Sequence, residues 1–219
     1  MSQFDPRFED LPATIPIFPL AGVLLLPRGV LPLNVFEPRY LNMIQDALAS
    51  DRMIGMIQPC PTAAGCEPAV YKTGCAGRIT CFEETDDGRF LISLKGVGRF
   101  KIVEELPTEH GYRRVTPDWA TFKDDIAPPE DETIPREALF KCLQPYFANQ
   151  GIEASWLALR ETPNERLINS LSMICPFSAS EKQALLEAPS LADRAKVLTA
   201  LIEMAVLDTC CDGGDKPKQ

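Results

Sequence analysis

From Ile15 to Tyr40 apolar residues dominate, but Pro19, Gly22, Pro27, Arg28, Gly29, Pro32 and Asn34 interrupt them. A membrane-spanning helix needs about 20 unbroken apolar residues, and repeated prolines break any long helix. The stretch therefore reads as short extended segments joined by turns, with Pro27-Arg28-Gly29 as one turn signal. After Pro38 the period changes: Tyr40, Leu41, Ile44 and Leu48 recur at helical spacing. Strands are expected over residues 13–36 and 53–58. Cys75, Gly77, Ile79 and Cys81 share one parity and Arg78 and Thr80 the other, as in a half-buried strand. Asp86-Asp87-Gly88 signals a hairpin turn. On the return strand Phe90, Ile92 and Leu94 alternate with Leu91, Ser93 and Lys95. Further strands are expected over 99–105 and 112–119. Such a run of short antiparallel strands implies a small barrel or folded sheet.

Residues 117–135 lose this periodicity and carry Asp124, Asp125, Pro128, Pro129, Glu130, Asp131 and Glu132. They read as a linker. Beyond them the period is helical. Pro135 fits a first helical turn, with Leu139, Leu143 and Tyr146 on one face, and Pro145 is expected to end or kink that helix. Thr162 with Glu165 forms one N-cap pattern; Ser178 or Ser180 and then Ser190 with Asp193 cap two more helices. The expected fold class is α+β: an antiparallel, small barrel-like β domain over residues 1–120, a linker over 121–134, a helical bundle over 135–209 and a disordered tail over 210–219.

Composition narrows the function. Among 219 residues, 45% are hydrophobic, enough for a core, and the net charge is −9 with no run of Lys or Arg. A generic nucleic-acid surface is therefore not expected. The acidic start MSQFDPRFEDLP lacks the basic and apolar regions of a secretory signal, so a cytoplasmic location with reduced thiols is expected and no membrane partner.

Catalytic arrangements are sparse. The single histidine, His110, sits between Pro107 and Gly111 and reads as a surface residue. Ser180 and Lys182 are two apart and cannot share a helix face, so they read as a cap and a solvated lysine. Cys60, Cys66, Cys75 and Cys81 fall close together, but no pair has the short spacing of common zinc sites. Cys75 and Cys81, sharing parity with Ile79, read as core residues. No metal and no cofactor are expected.

Leu24, Leu25 and Leu26 are consecutive and cannot all face one side of a strand. Either both faces are covered or one leucine is exposed, and an exposed apolar patch usually marks an interaction site. The expected peptide-binding residues are Leu24, Leu25, Leu26, Val30, Leu31 and Phe36. Glu37, Arg39, Arg78 and Arg99 flank these segments, either as a polar rim or, by the commoner reading, as structural ion pairs.

Several segments in order resemble one family. Pro19-Leu20, Pro27 with Gly29, Pro32-Leu33, Phe36 and Arg39-Tyr40 resemble the opening of the Lon N-terminal domain, the substrate-binding module of ATP-dependent Lon proteases. Gly74–Ile79 and Phe90–Phe100 resemble two later strands of that domain, and Glu181–Glu187 followed by Asp193-Arg194 resembles its helical region. The resemblance implies a β domain similar to pseudouridine-synthase-associated folds, followed by helices. This chain has no G-x-x-x-x-G-K-[ST] phosphate loop. The resemblance thus implies a stand-alone, non-catalytic module that binds unfolded or tagged protein segments, or docks to a protease or chaperone. Strand addition at an open sheet edge is one route. The alternatives are an RNA- or nucleotide-binding module on a similar fold, and a hydrolase with an unrecognised site.

Overall fold

The computed structural model describes residues 6–60, 69–127 and 133–212. They fall into two compact units. The first comprises residues 1–129 and 175–186, the second residues 130–174 and 187–219.

The first unit is built on a six-stranded mixed sheet. Its strands are β1 (Ile15–Pro19), β2 (Val30–Val35), β3 (Met53–Ile57), β4 (Thr73–Glu84), β5 (Phe90–Glu109) and β6 (Tyr112–Asp118), with helix α1 (Pro38–Leu48) between β2 and β3. The order is β2-β5-β4-β3-β1-β6, and a further β5–β6 pairing closes β5, β4, β3, β1 and β6 into a ring. All pairs are antiparallel except β1 with β3, which are parallel across α1. The sequence pattern pointed to antiparallel strands throughout. A parallel neighbour requires a crossover, and α1 supplies it.

β5 is one strand of twenty residues where the sequence suggested two. Its second half belongs to the ring and its first half projects beyond it, paired with β2 on one side and the end of β4 on the other. The ring is filled by Ile15, Ile17, Met53, Ile57, Ala76, Phe100 and Val115, with Trp119 edge-on to the Phe100 ring at 5.7 Å. α1 begins with Pro38 at its first turn and buries Tyr40, Met43, Ile44 and Ala47.

The expected linker opens differently. Ala120–Asp125 is a 3-10 helix, and Asp125 accepts from the Arg99 backbone N–H and guanidinium. Residues 128–132 of that linker lie outside the described residues. The first unit also contains helix α5 (Ala179–Glu187), apart from its last residue. Ser178 caps it reciprocally with Glu181: the Ser178 N–H donates to the Glu181 carboxylate at 2.7 Å, and the Glu181 N–H to Ser178 Oγ at 3.3 Å. Lys182 is buried rather than solvated, and its Nζ donates to the Gly22 carbonyl at 2.7 Å. Gln183 Nε2 donates to the Thr73 carbonyl, and Arg99 Nη1 to the Leu186 carbonyl. Residues 175–186, expected in the helical bundle, therefore pack with the strands.

The second unit contains α2 (Arg136–Gln150), α3 (Trp156–Glu161), α4 (Asn164–Ile174) and α6 (Leu191–Asp212). Their buried faces carry Leu139, Leu143 and Tyr146, then Leu167, Ile168 and Leu171, then Ala195, Leu198 and Ile202. Pro145 does not end α2. It lies on the exposed face, where the Lys141 carbonyl it leaves unpaired can be hydrated, while Tyr146 and Phe147 continue the buried stripe. Thr162 caps the C-terminus of α3 instead of opening α4, its hydroxyl donating to the Ala158 carbonyl at 2.7 Å. Ser190 caps α6 with Asp193 as expected. That helix runs through Cys210 and Cys211 to Asp212, so helical backbone continues into the expected tail. Residues 213–219 lie outside the described residues.

Candidate functional site

The three consecutive leucines are buried. Leu24, Leu25 and Leu26 are 2%, 1% and 0% exposed, which corrects their expected role. Of the two possibilities for three consecutive leucines, covered faces is the one realised. The segment between β1 and β2 is not a strand but a loop pressed against bare glycine faces. A Cβ on Gly77 would stand 2.7 Å from Leu25 Cδ2, and one on Gly96 would stand 2.0 Å from the Leu26 carbonyl oxygen. Main-chain bonds lock the end of the loop: the Gly29 N–H donates to the Leu26 carbonyl, the Arg28 N–H to the Gly96 carbonyl and the Gly96 N–H to the Gly29 carbonyl. Gln58, 2% exposed, holds the other end, accepting from the Gly22 N–H at 3.0 Å and donating to the Val23 carbonyl at 2.5 Å.

Of the exposed large apolar residues in the first unit, Val30, Phe36, Phe82 and Leu91 lie on the projecting three-stranded arm, and Phe8 and Val103 lie elsewhere. Across β2, β5 and β4 the arm's register runs Pro32, Ser93, Cys81, then Leu33, Ile92, Phe82, then Asn34, Leu91, Glu83. These nine residues border an open groove of about 460 Å³. Alternation sends Val30, Pro32, Asn34 and Phe36 of the β2 side, with Leu91 and Ser93 of β5, to one face. On that face Val30 is 59% exposed, Phe36 63% and Leu91 37%. Leu31 has the opposite parity and is half-buried. Val30 and Phe36 of the expected set thus share this outer face with Leu91, which the sequence pattern already showed as an apolar residue on the parity of Ser93 and Lys95.

Cys81 also lies on the outer side, although its parity with Ile79 suggested the core. The β4–β5 register shifts between Ile79 and Cys81, so Ile79 opposes buried Leu94 while Cys81 opposes Ser93. Cys75 is buried as expected, Cys60 is half-buried, and Cys66 lies outside the described residues. Among the described residues no three His, Cys, Asp or Glu side chains converge as metal ligands.

The flanking charges divide. Glu37 and Arg39 form an exposed pair at 2.9 Å, with the Arg39 guanidinium 4.6 Å from the centre of the Tyr40 ring. Arg99 is buried in a structural pair with Asp125. Arg78 stands in register with Lys95 and Met53 in the middle of the sheet. His110 is exposed but engaged: its Nδ1 and the Tyr112 hydroxyl both lie on Asp46 Oδ2, at 2.7 and 2.8 Å. Those two hydrogen bonds hold the Asp46 carboxyl below its ordinary value.

The outer edge of β2 carries Pro32. The β2–β5 ladder is intact through Val30–Val35, so the missing donor faces away from β5. An added strand would meet an interrupted edge there. The arm is better suited to side-chain contact across its face than to extension of its ladder.

The family model of the ATP-dependent protease La (LON) substrate-binding domain matches residues 14–204. The chain belongs to that family. Lon protease 2 of Myxococcus xanthus is 28% identical over 208 residues, covering 89% of this chain and 24% of the relative. Lon protease of Dictyoglomus thermophilum is 23% identical over 215 residues, covering 91% and 26%. The chain thus spans about a quarter of the length of the curated relatives it matches. Among solved structures, the Lon N-terminal domain protein from Xanthomonas campestris has the same fold, with a TM-score of 0.60 and 22% identity, covering 85% of this chain and 97% of its own. The α+β architecture is therefore that of Lon N-terminal domains. No helix among the described residues is long and apolar enough to cross a membrane.

Proposed function

We propose that this chain is a non-catalytic module that holds apolar segments of other polypeptides on the outer face of the β2–β5–β4 arm. One observation carries the reading: Val30, Pro32, Phe36 and Leu91 lie solvent-exposed on one sheet face beside an open groove. Exposed apolar side chains grouped in this way favour contact with another apolar surface. Membership of a substrate-binding domain family supports the same reading. The buried leucine loop then serves as the foundation of the arm, fixing the turn from which β2 emerges.

The test is binding of a labelled unfolded protein, such as reduced carboxymethylated lactalbumin, followed by fluorescence anisotropy with the full chain. Phe36→Ser is expected to weaken binding about fivefold or more while thermal melting stays within about 2 °C, since that side chain is mostly exposed, and Leu91→Ser to weaken binding similarly with a somewhat larger loss of stability. Unchanged affinity in both variants would place the binding surface elsewhere.

A further inference from the structure

The face just described is electrically lopsided. Its outer end, at the β4–β5 hairpin, carries Glu83 on the face and Asp86 and Asp87 in the turn, and Arg89 is the nearest cation in sequence. That cation is already engaged. It pairs with Asp87 at 2.8 Å and lies 5.8 Å from the centre of the Phe36 ring. Glu83 stands in register with Leu91, on the border of the groove, and Glu84 in register with Phe90. Glu83, Glu84 and Asp86 make no ion pair with another described residue. At the inner end the sign reverses: Lys95 stands in register with Val30 on one side and Arg78 on the other.

We propose, resting on the binding reading above, that the preferred occupant is an apolar polypeptide segment with lysine or arginine at one end. The apolar core would sit against Val30, Pro32, Phe36 and Leu91, and its basic end would face Glu83 and Asp86. Exposed ion pairs contribute modestly to affinity, but like charges brought together are disfavoured, so the carboxylates act chiefly as a filter. An acidic segment of equal hydrophobicity would be rejected at the hairpin end. The opposite charge at the Lys95 end leaves one favourable seat for the basic end and so gives the segment a direction.

The experiment uses the full chain and peptides sharing one uncharged apolar core of about ten residues. Each is tagged at one terminus with two lysines, two serines or two glutamates, and both placements of the tag are made. In one placement the lysine peptide is expected to bind about fivefold tighter than the serine peptide and the glutamate peptide weaker still. The spread should collapse near 1 M salt, where the screening length is about 3 Å. Asp86→Lys, in the exposed turn, should reduce or invert the preference while the serine peptide binds as before, and Glu83→Lys, on the border of the groove, should likewise reduce or invert it. Equal binding of all three tags in both placements would overturn the charge filter and leave the apolar site standing. Failure of every peptide to bind, with labelled unfolded protein also unbound, would overturn the binding reading and this inference with it.

Discussion

Arg99 and Asp125 are joined by a two-pronged ion pair, with Nε and Nη2 donating to Oδ2 and Oδ1 at 2.8 Å each. The same guanidinium donates through Nη1 to the Leu186 carbonyl at 3.1 Å and stacks 4.4 Å from the centre of the Phe122 ring. One side chain on β5 therefore gathers the 3-10 helix and the end of α5. With Arg99 only 5% exposed, Asp125→Ala would leave a buried cation without its carboxylate. The expected cost is about 3–5 kcal/mol, read as a lower denaturant midpoint. A loss below about 1 kcal/mol would show that the pair is not what holds these elements together.

Leu25 and Phe36 lie eleven residues apart and should respond in opposite ways to the same change. Leu25→Asp forces an unpaired charge against β4 and β5 and is expected to unfold the first unit or cost about 4 kcal/mol or more. Phe36→Asp, at a site 63% exposed, should leave melting nearly unchanged and weaken client binding. A soluble, fully melting-competent Leu25→Asp protein would refute the packing of the leucine loop.

Gly96 is the position where the loop touches β5 most closely. Its substitution by alanine would bring Cβ to 2.0 Å from the Leu26 carbonyl oxygen, a main-chain atom that cannot rotate away. The loop must lift, at an expected cost of about 2–4 kcal/mol. Thermal melting of Gly96→Ala measures this, and a melting point equal to that of the parent would mean the contact is relaxed in solution.

Lys182 makes a prediction in pH. Burial lowers its ammonium below the ordinary value of 10.5, an effect partly opposed by Cys175. In the window between the folded value and 10.5 the unfolded chain binds the proton more tightly than the folded one. Stability contributed by this residue should then rise with pH through that window. Below the window both states hold the proton and the full penalty of burying the charge applies. The unfolding free energy of the parent, minus that of Lys182→Met, should therefore increase as the pH is raised from neutral toward 10.5. A flat difference would show that the lysine is hydrated in the folded state.

Local pattern carried much of the first unit. The turn at Asp86-Asp87-Gly88, the parity of Phe90, Ile92 and Leu94, and the helix opened by Pro38 are all present in the fold. These features are encoded within a few residues, where turn chemistry and side-chain alternation suffice. What parity could not reveal was the register shift after Ile79, because a bulge inserts one residue without changing composition, and Cys81 moved to the outside with it. The leucine loop was ambiguous for a related reason: the glycine faces that cover it lie more than fifty residues away in sequence. Lys182 read as a solvated side chain, and nothing in the pattern marked Gln183 as buried. Only their long-range bonds to the Gly22 and Thr73 carbonyls make them buried, and helical periodicity is silent about such partners. The outer face of the arm was half legible, since Val30 and Phe36 stood in the expected binding set and Leu91 on the parity of Ser93 and Lys95, but nothing in the pattern set them side by side.

The return of residues 175–186 to the strand unit has a consequence for how the protein is made. Synthesis proceeds at about 5–20 residues per second, and amino-terminal domains ordinarily fold as they emerge. Here every strand is translated well before α5, yet the Gly22 and Thr73 carbonyls and the Arg99 guanidinium wait for partners on that helix. For a few seconds the nascent strands stand complete in sequence and incomplete in bonding. The last step in maturing the strand unit is thus set by a segment translated after every strand, and a ribosome stalled before Leu186 would hold a sheet without its clasp.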